Sequence, residues 1–293
     1  MKKPFINWDE IAALARPPMP KPEAASGRKG PKRGIGGWDN QAAFYNQMAK
    51  MEAGFTLNQI NCFDTSPADT VLDVGCGPGR ITVPMAKRAK AVTALDASPE
   101  MLRFCRENAA AAGLTNVTTK LFDWEDDAAF AGIEQHDIVI ASRSVGMGEI
   151  SKLTSLAKKY AVIIIWSHGC PSIPVITGAL FEGTEEKGEE RPLRPPMKRD
   201  RRLGNNLLYN RIYDMGYNPN LNVVEDGFTK TYESREAAYE DLMKLRPGMK
   251  ADKLAVFQAN VDKFLTENED KTITYLARTQ TVVLWWKPEI EEE

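Results

Sequence analysis

Three glycines at alternate positions define the clearest chemistry in this sequence, in the run Val71-Leu72-Asp73-Val74-Gly75-Cys76-Gly77-Pro78-Gly79. Glycine reaches backbone conformations closed to other residues, and without a Cβ it lets a ligand approach bare N–H groups. Where such a loop joins a strand to a helix, those groups add to the positive end of the helix and favour electron-rich ligand atoms. The spacing separates two ligand classes. A dinucleotide fingerprint runs G-x-G-x-x-G, whereas here the third glycine comes one residue early and Asp73 stands two residues before the first. Further along lie the carboxylates of Asp96 and Asp123, the guanidinium of Arg143 and the imidazole of His168. The planar fork of an arginine suits a carboxylate or phosphate, and an imidazole exchanges a proton near neutral pH. Cys62, Cys76, Cys105 and Cys170 are scattered with no C-x-x-C pair, so reduced thiols are expected, with no metal site and no disulfide framework.

The elements that must position these groups alternate in type. Thr70 to Val74, Ala91 to Leu95, Val117 to Leu121, Asp137 to Ala141 and Tyr160 to Trp166 read as short apolar strands, separated by helical stretches. Ile81 to Ala89 is one such helix; a second starts with Ser98 as N-cap and Pro99 at its first position and stops at Gly113. This alternation predicts an α/β, doubly wound fold whose parallel sheet is covered on both faces. Arg143 then follows an apolar strand at the sheet edge where ligands bind, and His168 follows the next. Phe44, Met48, Met51 and Phe55 form one apolar helix stripe ahead of the sheet. Beyond residue 205 a helix over Asn206 to Met215, a strand over Leu221 to Glu225, a helix capped by Ser234, another over Ala251 to Asn268, and one or two strands over Thr272 to Trp286 are expected.

The glycine loop resembles the first motif of the class I S-adenosylmethionine-dependent methyltransferases, a Rossmann-like family, and Asp73, Gly75, Gly77 and Gly79 all match it. The resemblance implies a mostly parallel seven-stranded sheet, S-adenosylmethionine as cofactor and S-adenosylhomocysteine as product. It implies roles for two more acids. Asp96, closing the second strand, matches the acid that holds both ribose hydroxyls, a task suited to a group with two acceptor oxygens. Asp123, after the third strand, matches the acid facing the adenine amino group. Met101 and Trp124 are expected to flank the adenine, because thioether and aromatic groups pack on flat π systems. After the fourth strand, Ala141-Ser142-Arg143-Ser144 departs from the Asn/Asp-Pro-Pro-aromatic run of the branch that methylates nucleic-acid amino groups.

Composition narrows the partners. The 38 basic and 40 acidic residues leave a net charge of −2, so no global field draws in nucleic acid or an anionic membrane. The longest apolar runs, such as Ala161 to Trp166, fall short of the roughly 20 residues of a spanning helix. Asn7, Asp9 and Glu10 interrupt the start before any secretory core forms, and a cytoplasmic location is expected. Residues 1–37 read as a short helix and a flexible Pro/Gly-rich arm. Residues 38–293 read as the methyltransferase domain, with cap insertions at 168–205 and 229–268. The expected activity is methyl transfer to a small anionic metabolite or cofactor precursor, with Arg143 orienting its anionic group and His168 as a candidate base. Aligning a nucleophile and excluding water suffices for much of such a reaction. The basic stretches 28–33 and 191–202 suit RNA as an alternative acceptor, and a protein acceptor, a nicotinamide-dependent oxidoreductase and a non-catalytic cofactor-binding regulator are the further readings.

Overall fold

A computed structural model describes residues 5–14, 35–184 and 202–289. Residues 15–34 of the Pro/Gly arm and most of the opposed acidic and basic blocks lie outside the described residues, whereas the arm's last residues, 35–37, form a turn tied to Ala97 through the Gly36 N–H. Five parallel strands form the body of the sheet: β1 (Thr70–Val74), β2 (Ala91–Asp96), β3 (Val117–Leu121), β4 (His136–Ser142) and β5 (Ala157–Trp166). Three more, β6 (Asn220–Tyr232), β7 (Leu265–Glu267) and β8 (Ile273–Trp286), complete it. The order is β3-β2-β1-β4-β5-β8-β6, with β7 added on β8. Seven strands thus lie on the main path, as expected, and the short β7 makes an eighth. Strand order reverses between β1 and β4, which opens a crevice at their carboxyl ends.

Burial explains why the central strands read as unbroken apolar runs. Ile138 to Ala141 and Ala161 to Ile164 are all 0% exposed, the state of parallel strands covered on both faces. Helices α1 (Trp8–Leu14), α2 (Ala42–Ile60), α3 (Thr82–Ala86), α4 (Pro99–Ala111), α5 (Asp127–Phe130), α6 (Ile150–Leu156), α7 (Ile173–Leu180), α8 (Arg202–Asp214), α9 (Arg235–Met243) and α10 (Leu254–Asp262) surround the sheet. The cap signals act as read. Ser98 Oγ accepts the Met101 N–H at 3.1 Å to start α4, and Ser234 Oγ accepts that of Ala237 at 3.2 Å to start α9.

The antiparallel part departs most from expectation. Trp166 ends β5 opposite Thr281, so residues 273–280 of β8 and 225–232 of β6 project past the carboxyl edge of the parallel strands. Around this projection a second core gathers Met48 and Met51 of α2, Leu180 of α7, Leu242 of α9, Phe257 of α10, and Phe228 and Tyr275. β6 is therefore far longer than the expected Leu221 to Glu225. The helix expected to run to Asn268 stops at Asp262, because Leu265 to Glu267 pairs with β8 from Tyr275 to Ile273 instead. Among the described residues no helix is long and apolar enough to cross a membrane.

Candidate functional site

The loop between β1 and α3 brings the three glycines together with three different duties. All have positive φ: +69° at Gly75, +54° at Gly77 and +91° at Gly79. A Cβ on Gly75 would stand 2.4 Å from that of Ser144, and one on Gly79 would stand 3.0 Å from Cys105 Sγ, so these two glycines let the loop pack on the protein itself. A Cβ on Gly77 would meet only Met101 Sδ, at 3.9 Å. Gly77 alone opens onto free space, with buried Met101 as the wall.

Two carboxylates frame that opening. Asp96 takes the Gly77 N–H on Oδ2 at 2.8 Å and the Ser98 N–H on Oδ1 at 2.9 Å, leaving acceptor capacity on each oxygen. Burial raises its carboxyl above the usual range against those N–H groups, and the charge of Asp39 adds a smaller push in the same direction. Asp73 is 1% exposed; its Oδ2 accepts from Thr82 Oγ1 at 2.6 Å, while Oδ1 is buried with no hydrogen-bond partner. Burial is the main cause pushing its carboxyl up to about 6. An unpartnered buried acceptor of this kind is costly unless a ligand supplies the donor. Cys76, in the same loop, is buried beside Cys105, whose contact, together with burial, raises its thiol well above the ordinary range.

The remaining expected residues divide. Asp123 stands half-buried after β3, its Oδ1 capping the Glu125 N–H at 3.0 Å and its other oxygen uncommitted. An open cavity of about 450 Å³ lies beside this turn, lined by Trp124, Glu125, Asp127, Val145, Glu149 and Lys152. Trp124 is 4% exposed and packs with Leu72 and Val74, edge-on to Phe122 and Phe130, while the same residue lines that cavity; its Nε1 is buried without a partner. His168 is exposed in the turn after β5 and has no hydrogen bond among the described residues, so nothing orients its imidazole.

Arg143 is a correction. Its Nη1 donates to both oxygens of Glu52, at 2.8 and 3.0 Å, and its Nη2 donates to Asp226 at 2.5 Å and to Thr281 at 2.6 Å. Its Cζ sits 3.2 Å from the centroid of the Trp166 ring. Arg80 joins the cluster through Glu52 at 2.9 Å and Gln59 at 2.7 Å, and it also donates to Ser142. Glu52 and Asp226 are 1% and 0% exposed, so two carboxylates and two guanidiniums neutralise each other out of water. Both Nη atoms of the fork expected to grip an acceptor are already taken, and its Nε is buried without a partner. Burial lowers the guanidinium's affinity for its proton, while Glu52 and Asp226 support the charge. Arg143 also holds φ at +52°, an uncommon state for a long side chain, with its N–H anchored on Ile164 O at 2.9 Å. Sequence reasoning missed Glu52, Arg80 and Asp226. The one available signal was Glu52 itself, a carboxylate adjoining the Met48, Met51, Phe55 stripe of α2.

A methyltransferase-domain family model matches residues 71–163, the span from β1 into β5 that holds this loop, Asp96 and Asp123. Over that span the chain carries an S-adenosylmethionine-dependent methyltransferase domain. An uncharacterized protein of Haemophilus influenzae is 28% identical over 215 residues, 70% of this chain and 71% of that one. The 23S rRNA (uracil(1939)-C(5))-methyltransferase RlmD of Photobacterium angustum is 34% identical over 109 residues, 36% of this chain, and the match spans 50% of that enzyme's length. Among solved structures, the YcgJ protein of Bacillus subtilis gives a TM-score of 0.46 at 15% identity, covering 81% of this chain and 98% of that one.

The cofactor of this class, S-adenosylmethionine, suits the residues present. It offers two ribose hydroxyls for the spare acceptor capacity of Asp96, and an ammonium group of the type the unpartnered Asp73 oxygen lacks. The opening over Gly77 is the cradle a side chain would fill. The match to a methyltransferase domain displaces the nicotinamide-dependent alternative.

Proposed function

We propose that this methyltransferase holds its cofactor between Asp73, the open backbone of Gly77, Asp96, Met101 and Asp123, and transfers the methyl group to a small-molecule acceptor. The observation that carries the reading is the asymmetry of the glycine loop: Gly75 and Gly79 are filled by protein, and Gly77 faces open space beside a carboxylate with acceptor capacity to spare. The bound sulfonium supplies an electrophilic methyl group. The chain's own work is to bind, align and exclude water. Asp96 fixes the ribose end, Met101 packs against the cofactor, and Asp123 accepts from the adenine amino group.

The small acceptor is supported by the projecting ends of β6 and β8 with α2, α7, α9 and α10, which rise past the carboxyl edge as a cap. Its anionic character loses its support, because Arg143 has no free charge to offer. An RNA acceptor is the second reading, favoured by relatives named as 23S rRNA methyltransferases. Titration calorimetry with S-adenosylhomocysteine tests the cofactor site: Asp96→Ala should weaken binding by about 1.5–3 kcal/mol. Unchanged affinity removes Asp96 from the ribose. Transfer of labelled methyl from the cofactor into fractionated cell extract tests the acceptor: label in the small-molecule fraction supports the first reading, and label in RNA replaces it with the second.

A further inference from the structure

The segment that leads into α2 reaches the turn carrying Asp96, although nothing in the motif points to it. Gly36 donates its N–H to Ala97 O at 2.7 Å. Three residues later, Asp39 Oδ1 accepts the Ser98 hydroxyl at 2.5 Å and faces the Glu100 N–H at 3.4 Å. Ser98 is 0% exposed, and its Oγ also accepts the Met101 N–H at 3.1 Å. With its acceptor side committed to Met101, the hydroxyl directs its single proton to Asp39. The Ser98 backbone N–H then donates to Asp96 Oδ1 at 2.9 Å, and Asp96 Oδ2 takes the Gly77 N–H at 2.8 Å. An unbroken chain of hydrogen bonds therefore runs from Asp39 through Ser98 and Asp96 to the one glycine that opens onto ligand space.

We propose that residues 36–39 are part of the cofactor site and that Asp39 is a positioning residue, holding Ser98 so that the Asp96 carboxylate presents its remaining lone pairs to the ribose. The inference rests on the reading of Asp96 given above. Its physical basis is the geometric demand of a two-hydroxyl contact, which needs both oxygens of one carboxylate held in one orientation. Asp96 has no cationic partner among its hydrogen bonds, only the backbone N–H groups of a turn. The turn must be stiff, and Asp39 with Gly36 ties it down from outside. The like charge of Asp39 also contributes to the raised carboxyl of Asp96, and a more basic carboxylate accepts more strongly from neutral hydroxyls.

The test is calorimetry of the full chain with S-adenosylhomocysteine and with its analogue lacking both ribose hydroxyls, using wild type, Asp39→Ala and Asp39→Asn. Asp39→Ala should bind S-adenosylhomocysteine about five- to ten-fold more weakly and the analogue within about two-fold of wild type. Asp39→Asn keeps a carbonyl oxygen for the Ser98 hydroxyl and the Glu100 N–H, so it should recover most of the affinity. Thermal melting reports folding of each variant; should the Asp39→Ala variant not fold, Ser98→Ala, which removes the donor of the same contact, carries the comparison, again with its loss confined to the hydroxyl-bearing ligand. Equal binding by wild type and Asp39→Ala, or an equal loss for both ligands, overturns the positioning role. Failure of wild type to bind S-adenosylhomocysteine at all overturns the cofactor reading, and this inference with it.

Discussion

At the β1–β2 end of the carboxyl edge, Asp73 keeps a buried oxygen without a partner and Asp96 spends only part of its acceptor capacity, on backbone N–H groups. At the β4–β8 end of the same edge, Arg80 and Arg143 meet Glu52 and Asp226 with every charge answered. Both regions bury ionisable side chains at the same edge, two aspartates in the first and two arginines with two carboxylates in the second. What differs is where the partners come from. The first region leaves acceptor capacity on Asp96 for a ligand, whereas the second commits both Nη atoms of Arg143 to α2, β6 and β8 and leaves only its buried Nε without a partner. A charged side chain at a ligand-binding edge is therefore a binding group only if the rest of the fold leaves it one.

The largest test of this contrast is removal of Glu52. Glu52→Ala leaves Asp226 as the one carboxylate for two guanidiniums held mostly away from water, and denaturant unfolding should show a loss of about 3–5 kcal/mol, the cost of breaking a buried pair from one side. A loss below about 1 kcal/mol would mean that the cluster is solvated and its charges available to an acceptor.

Asp73→Asn should do the opposite in the other region. The folded carboxyl titrates at about 6, above its ordinary 3.8. Between those values the folded state binds more protons than the unfolded one, so wild type loses stability as pH rises through that window. The full shift corresponds to about 3 kcal/mol, as an upper bound. Unfolding measured from pH 3 to 8 should find the variant progressively favoured relative to wild type from about pH 4 to 6, with no further gain above. A constant difference across the range breaks the idea that Asp73 is held at a cost.

The glycines divide the contrast more finely. Gly75→Ala should destabilise by about 2–4 kcal/mol, since the added methyl overlaps Ser144 in addition to the left-handed strain. Gly77→Ala carries the backbone strain alone, about 1 kcal/mol, and should lose more S-adenosylhomocysteine affinity than its melting temperature suggests. The reverse pattern in calorimetry would exchange their roles. His168→Ala should have the smallest effect, within about 0.5 kcal/mol in stability and with methyl transfer retained, because nothing orients that ring. A drop of ten-fold or more in the transfer rate would reinstate it as a base.

The parallel strands and the loop could be read because their signals are local. A strand covered on both faces needs a run of apolar residues, and Ile138 to Ala141 supplies one. Asp96 finds its partners 2 and 19 residues away, within one strand–helix–strand unit whose geometry the glycine spacing already specifies. An aromatic beside a strand end serves core and ligand equally well in sequence, and Trp124 both packs in the core and lines the open cavity. The helix expected through Asn268 failed because the edge of β8 claimed Leu265 to Glu267 for a strand, a choice made by a neighbour and not by the segment itself.

The sequence by itself determined the alternation of the parallel strands with helices, the caps of α4 and α9, and the loop on which the cofactor class depends, since each is set by residues within a few turns of one another. Only the tertiary structure decided the fate of Arg143. Its partners Asp226, Glu52 and Thr281 lie 83, 91 and 138 residues away. A charge carries no record in its local sequence of which distant element will neutralise it, because the cost of burying it is met only when the chain has closed around it.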